Sequence, residues 1–533
     1  MKLKLPKLFK SSVFWLGLIL ALGLWLRLYQ IDQKIWLYSG LDSARDVLVA
    51  KHIVNYSETI LKGPYVNGGH YWLQNSPVYY YFLAGLWFFT RSIIGITIAW
   101  SIVLASGIGL SFWAGKLTRD TPTGLIAALI YAIHPELILQ ASQIFQPHLL
   151  PLFSLLSYIW LLKAWQQKSG LYLVAGTSAI LFPIHLHYSI GLVIPVFGLA
   201  IVYLISRMIK DRWKNWQRLL FLLVLTVSSI FLSWVNLTYK FEPFDQFEIF
   251  SLNQDNQILP LTQKLGIIFQ TLEQLCLGFI SDQTRSLIWL TAAILTWLTQ
   301  AQLNRRLLSL WHWLLTGILL TVSLALCFNG VILTNYFLGL MPFFIIFWAG
   351  SLRSLWQFNW QLGLVSLGLI FSWAYQQDLR SLAKTDPELS FAAHFQAGSQ
   401  AIYADYQALN FKTYLQPSFA VAALSTSIPQ IRYDAWLASV YWLYLENLFN
   451  QKLVKLSDSG VNHLPLQAEP EYIYFSCHHY YKPGGDQEFC YKPFSKARNN
   501  IDAGQIIFSD EVQTIWRFNV LPGAEALPWA RNY

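Results

Sequence analysis

The sequence predicts a polytopic α-helical membrane protein of about eleven spanning helices, with interfacial helices in its first outer loop and a small soluble α/β domain at its C-terminal end. Three observations carry this. Of 533 residues, 55% are hydrophobic and only 12% charged, about half the charged fraction of a soluble domain. Uncharged runs of roughly 18–24 residues, the length that crosses a hydrocarbon core, recur along the chain. From about residue 378 onward these runs give way to short alternating segments and polar loops.

The runs lie near residues 11–29, 92–115, 121–141, 147–165, 170–187, 188–206, 219–238, 286–303, 308–328, 331–350 and 359–377. The first follows the basic stretch MKLKLPKLFK. It lacks an A-x-A-like cleavage site and is too long for a cleaved h-region, so it reads as a retained span. The run 77–90, PVYYYFLAGLWFFT, is apolar but short; it reads as an interfacial or re-entrant piece. With that piece left out of the count, the basic clusters all fall on one side: the N-terminus, Lys116 with Arg119, Lys163 with Lys168, Arg207 to Arg218, Arg305 with Arg306, and Arg353. The positive-inside rule makes that side cytoplasmic. The loops 30–91 and 239–285 and the tail from about 378 then face outward. Membrane orientation accounts for the net charge of +9, so nucleic acid is not implied as a partner.

In the tail, EYIYFSCHH (471–479), GQIIFSD (504–510) and QTIWRFN (513–519) alternate as strands do, and 434–451 has helical spacing. The expected division is a membrane domain over 1–377 and an outward α/β domain over 378–533. Cys477 and Cys490 form a disulfide or stand as two free thiols; an outer compartment permits the first. His478 and His479 beside Cys477 lack a fourth ligand at usable spacing for zinc. No internal repeat of the kind many transporters show is present.

The first outer loop holds the chemistry. It reads SGLDSARDVLVAKHIVNYSETILKGPYVNGGHYWLQNSPVYYY over 39–81. Leu41, Ala44, Leu48 and, more loosely, Val47 recur at helical spacing. Asp42 and Asp46, four residues apart, share one helix face, with Arg45 beside them. A carboxylate can take a proton from an attacking hydroxyl, and a guanidinium can hold a phosphate in a bidentate fork. The same spacing also fits a solvated amphipathic helix with an ordinary intrahelical ion pair. Tyr79, Tyr80 and Tyr81 either stack on sugars or anchor at the interface. His185 and His187 stand near the outer end of a span; being two apart, they do not make a metal pair. His134 and Glu136 flank Pro135, a pattern that fits a break in a helix.

An acid shortly after the first span, in a D-x-x-R setting, resembles the first outer loop of GT-C glycosyltransferases, the polytopic enzymes that use polyprenyl-phosphate sugars. The resemblance is to the protein O-mannosyltransferase-like and lipid A aminoarabinose transferase-like branch. GGHYWLQNSPVYYYFLAG is similar to the family's Gly-rich turn and Pro-aromatic helix, QIFQPHLLPLFSLL (143–156) to its N-P-x-L-L-P-like core, HLHYS (185–189) to its Q-L-H-Y run, and NYFLGLMP (335–342) to the pattern that opens a late span. The motifs occur in order over about 12–350. The resemblance implies a polyprenyl-phosphate sugar donor, a lipid, glycan or protein acceptor, inversion at the anomeric carbon, and a bacterial plasma membrane. It implies Asp42 as general base and Arg45 as a phosphate ligand. Asp46 stands where some relatives carry Tyr; it is a second acid, a metal ligand or a partner of Arg45.

The chain departs from the family at three places. Asn75 stands near a Lys position, Asn335 replaces the His or Arg before Tyr336, and Gln146 stands where some relatives have Asp. Phosphate-binding charge is then expected from His187, His70, Lys62 or Arg285, and a groove from Asp46, His70, Tyr79 and Tyr336. A divalent metal, if one is used, would fall to Asp42 and Asp46. The competing readings are a transporter or flippase of lipid-linked glycans and a non-catalytic envelope-assembly protein. Charges concentrated in outer loops, away from mid-span, favour the enzyme.

Overall fold

The computed structural model describes residues 11–34, 40–61, 63–64, 75–211, 262–268, 334–361, 363–368, 391–409, 419–425, 435–450, 452–456, 463–465, 472–478, 504–509 and 513–519, with isolated positions between 220 and 322. The helices are α1 (Ser12–Leu28), α2 (Ile31–Lys34), α3 (Gly40–Tyr56), α4 (Val78–Thr90), α5 (Ile93–Thr118), α6 (Thr121–Ile133), α7 (Pro135–Ala141), α8 (Leu150–Gln167), α9 (Gly170–Leu181), α10 (Ile194–Lys210), α11 (Met341–Phe358), α12 (Phe391–Ala408) and α13 (Ala435–Phe449). Short 3-10 segments lie at Gln146–Leu149, Phe182–His185, Tyr188–Leu192 and Thr334–Leu340. The strands are β1 (Phe419–Ser425), β2 (Val454–Leu456), β3 (His463–Pro465), β4 (Tyr472–His478), β5 (Gln505–Ser509) and β6 (Gln513–Asn519).

These elements divide into two compact units. The first is Met1–Tyr29, Ile98–Ser142 and Gln146–Ala383; the second is Gln30–Thr97, Gln143–Phe145 and Lys384–Tyr533.

The described residues of the first unit are helical. Among the described residues, Ile93–Thr118, Gln146–Gln167 and Phe337–Phe358 are long and apolar enough to cross a membrane, and the bent pair α6 and α7 makes a fourth if it is one span. Within the described residues, the runs 11–29, 92–115, 147–165, 170–187, 188–206 and the part of 331–350 from Thr334 fall on helices, some with a 3-10 turn at one end. The runs 219–238, 286–303 and 308–328 lie largely outside the described residues, as does most of 359–377. The core runs through Ile108, Tyr131, Leu155, Leu162, Phe197 and Phe343. Phe343 meets Phe197 at 5.2 Å and Tyr158 at 5.8 Å between ring centroids. Asp120 caps α6 by accepting from the Thr123 N–H at 2.9 Å. The same carboxylate takes the Arg353 Nε at 3.0 Å, and Arg119 donates to Gly350 O at 3.1 Å and Ser354 Oγ at 2.7 Å. Two of the basic positions used to orient the chain therefore meet at one end of the helices.

The run 121–141 is not one straight helix. It bends by 58° at His134, between α6 and α7. Pro135 has no N–H to offer the carbonyl of Tyr131, four residues back. Arg27 of α1, fully buried, supplies the missing donors: Nη2 to Tyr131 O at 3.1 Å and Nη1 to Ala132 O at 2.9 Å. An unmet carbonyl at membrane depth costs several kcal/mol, which explains a charge inside an otherwise apolar helix. Gly23, one turn before Arg27, lets the helices touch; a Cβ there would run into Ile108 and Ala132.

The second unit joins the segment Gln30–Thr97 to the C-terminal part of the chain. Its sheet has the order β1-β4-β6-β5. β1 and β4 are parallel, with Val421 opposite Tyr474, and β6 is antiparallel to both β4 and β5. The segments expected as strands fall on β4, β5 and β6, and the expected helix falls on α13. α13 packs on α3, α12 and β1. Asp405 of α12 accepts from Tyr474 Oη at 3.0 Å and Arg517 Nη1 at 2.8 Å, tying that helix to β4 and β6. Cys477 lies in β4, and Cys490 is outside the described residues.

Candidate active site

The site is built on α3. Asp42 stands in its first turn, where the partial positive charge of the helix N-terminus favours a carboxylate. Ala44, Val47 and Leu48 are fully buried, as their spacing requires. The burial goes further: every residue from Ser43 to His52 is buried, so this is not a solvated amphipathic helix. α4 covers one side, and Asn55 Oδ1 near the end of α3 accepts from Arg91 Nη1 at 2.7 Å. Before α4, Gly63 N donates to Asn75 O at 2.8 Å, while Asn75 donates to Pro64 O through N at 2.9 Å and through Nδ2 at 3.2 Å. Asn75 thus ties residues 63–64 to the start of the segment that leads into α4.

Arg45 bridges the two acids. Nη1 contacts Asp42 Oδ1 at 2.7 Å, while Nε and Nη2 both reach Asp46 Oδ1, at 2.8 and 2.6 Å. The side chain of Asp46 is fully buried and that of Arg45 nearly so, whereas that of Asp42 is 25% exposed. Only Asp42 can therefore meet a molecule from outside without rearrangement.

Tyr79 and Tyr80 of α4 are fully buried behind the pair, their rings 6.0 Å apart. Tyr79 interacts with Asp46 and Tyr80 with Arg45, and burial raises both phenols well above the usual range. The structure thus turns these two rings inward. Tyr81 is the exposed member, and its hydroxyl donates to Ile60 O at 3.0 Å. Sequence reasoning passed over Tyr80 as a contact of Arg45; its place beside Tyr79 was the available signal.

The electrostatics follow from three charged groups in a dry place. Burial pushes the Asp46 carboxyl up, to about 7, with Asp42 adding repulsion and Arg45 pulling the other way. Burial also works against the Arg45 charge, but Asp46 and Asp42 outweigh it and keep the guanidinium protonated. The sign for stability is definite. Between the unfolded carboxylate value of about 4 and about 7, the folded chain binds the Asp46 proton more tightly than the unfolded chain does. Stability from this group is therefore lost as pH rises through that window. Asp46→Asn is expected to flatten this dependence, so that its melting temperature relative to wild type rises between pH 4 and pH 8. Thermal melts of the detergent-solubilised protein across that range check it; parallel curves would count against a raised Asp46.

The remaining expected site residues are placed as follows. His187 lies in the first unit, buried between the 3-10 segments Phe182–His185 and Tyr188–Leu192, with His148 as an electrostatic neighbour. Tyr336 falls on the 3-10 segment Thr334–Leu340. Lys62, His70 and Arg285 are outside the described residues. Among the described residues no three His, Cys, Asp or Glu side chains are grouped to hold a metal ion. Asp42 and Asp46 share the Arg45 guanidinium.

No protein-family model matches the sequence, and no curated protein matches it either. Solved structures do match. ArnT from Cupriavidus metallidurans, in a crystal structure with undecaprenyl phosphate bound, superposes with a TM-score of 0.57 at 12% identity, over 97% of this chain and 100% of that one. The Archaeoglobus fulgidus oligosaccharyltransferase, in a complex with zinc and sulfate, gives a TM-score of 0.47 at 11% identity, over 94% of this chain and 72% of the other. The likeness to ArnT extends over nearly the whole chain and shows that the two share a fold.

Proposed function

We propose that the protein is an inverting glycosyltransferase that moves a single sugar from a polyprenyl-phosphate donor to an acceptor hydroxyl at the outer face of a membrane. The observation that carries this is the buried Arg45, which holds two carboxylates of α3 and leaves Asp42 alone exposed. The ArnT-like fold, known with a polyprenyl phosphate bound, supports it.

Asp42 is the general base. It removes the proton of the acceptor hydroxyl as that oxygen attacks the anomeric carbon, opposite the phosphate. The bond between the anomeric carbon and the phosphate oxygen breaks, and the polyprenyl phosphate leaves with the electron pair. Arg45 is committed to Asp42 and Asp46 in this arrangement. Its first role is to aim the Asp42 carboxylate; direct contact with the donor phosphate requires the Asp42 pair to open. The resemblance alone offers His187, Lys62 and Arg285 as cations for the leaving phosphate. Asp46 and Tyr79 lie behind the base, and the resemblance alone offers His70 and Tyr336 as groove residues. No step is assigned to a metal.

The test uses purified full-length protein with undecaprenyl-phosphate-linked mannose, glucose, galactose and aminoarabinose, and an envelope extract as acceptor source. Release of undecaprenyl phosphate with at least one donor is the expected result. Movement of the donors across vesicles with no such release, for any of the four, would replace the enzyme with a flippase.

A further inference from the structure

A second buried charge cluster lies ten residues along α3 from Asp42, within the same compact unit. His52 is fully buried, and each of its ring nitrogens faces a carboxylate: Nδ1 lies 3.1 Å from Glu58 Oε2, and Nε2 lies 2.9 Å from Glu446 Oε1. Glu446 belongs to α13, almost four hundred residues away in the chain. It also takes Lys51 Nζ at 3.1 Å and the Leu453 N–H at 3.0 Å. Glu58 pairs with Lys452, just beyond α13, whose ammonium stands over the Tyr56 ring. That ring in turn meets His52 at 4.9 Å. The groups facing His52 are therefore Lys51, Tyr56 and Glu58 on its own side and Glu446 on the α13 side, with Lys452 behind Glu58.

A neutral imidazole donates one N–H and cannot satisfy two carboxylates; the doubly protonated ring donates to both. Burial opposes that charge, yet the hydrogen bonds from Glu446 and Glu58 outweigh it and raise the His52 pKa above its ordinary value. The same partners hold both carboxyls below their usual range, against the cost of burial.

We infer that Glu446 and His52 are positioning residues: they latch the C-terminal helix onto α3 and so fix the place and orientation of Asp42. The inference rests on the assignment of Asp42 as base. It gives the C-terminal part of the chain a task in the reaction, since a helix made there holds the helix that carries the acid. The latch is a charged one. A raised folded-state value means that the His52 contribution is complete below the ordinary histidine range, near 6.5, and fades as pH rises through the folded value.

The test uses full-length His52→Gln and Glu446→Gln, with Lys452→Ala as a milder variant at the half-exposed end. Two readouts are taken. The first, amide exchange over residues 42–52, needs no donor. Both Gln variants are expected to exchange faster there at neutral pH, and Lys452→Ala less so. The second is the pH profile of undecaprenyl phosphate release from the donor panel above. Wild type is expected to lose turnover on the alkaline side of the histidine range. His52→Gln is expected to be slower by about tenfold or more, as for a base displaced by part of an ångström, with that alkaline limb gone. Glu446→Gln, which strips His52 of one carboxylate, should move the limb to lower pH. A general loss of folded protein would lower the curve without moving it. Unchanged exchange in both Gln variants, or an alkaline limb that stays in place in Glu446→Gln, overturns the latch. If the wild type releases nothing from any donor, the transferase reading fails while exchange still decides the latch.

Discussion

Asp42→Asn is expected to lower sugar transfer by about 10²- to 10⁴-fold, the usual share of a general base, or roughly 3–5 kcal/mol in the barrier. Asparagine keeps the shape of the side chain and an oxygen that accepts from Arg45 Nη1, so the 2.7 Å contact has a neutral substitute. Asp42 is also the exposed member of the trio, and its loss leaves no buried charge unpaired. The variant is therefore expected to insert into membranes and to melt like wild type while transfer disappears. The donor KM should change little, because the lost interaction is made in the transition state. Transfer retained at wild-type rate would remove Asp42 from the mechanism. Loss of activity together with loss of folded protein would make the residue structural.

Arg45→Met is expected to have the largest effect on stability. The change strips Asp46 Oδ1 of both its hydrogen bonds and leaves that carboxyl fully buried with no cation. Removing one partner of a buried ion pair costs about 3–5 kcal/mol, more than a typical point mutation. Asp46 can escape part of the cost by taking up a proton, and burial already pushes it up to about 7. The penalty should therefore be smaller at pH 5 than at pH 8, and denaturation in detergent at the two values measures it. Arg45→Lys keeps the charge and loses the planar fork that reaches two carboxylates at once; an intermediate loss of stability is expected, with transfer still impaired because Asp42 is no longer aimed. A methionine variant as stable as wild type at pH 8 would show that the pair is not the keystone of α3.

How much of this was legible in the sequence differs by element. Asp42, Arg45 and Asp46 lie within one turn of each other, and helical periodicity alone places them together. The direction of that trio was not legible. The same spacing fits a solvated ion pair, and only the packing of α4 and α13 against α3 shows that Asp46 and Arg45 are dry and Asp42 is not. The Tyr79-Tyr80-Tyr81 run posed the same problem, because adjacent aromatic residues read alike until neighbours decide which face is covered. Arg27 was hidden inside a run counted simply as a span; its purpose depends on carbonyls more than one hundred residues away.

The sequence by itself determined the class of this protein: long uncharged runs that only lipid or a buried helical core can accommodate, basic residues sorted to alternate loops, and a helix with a D-x-x-R-D cluster after the first of those runs. Those are local properties, set by composition and period. The tertiary structure alone decided that the segment Gln30–Thr97 and the C-terminal part of the chain form one unit, and that Glu446 reaches back to His52. Such pairings join residues far apart in the chain through a few buried polar contacts. Neither charge leaves a periodic signature, and their partnership exists only once packing has removed the water between them.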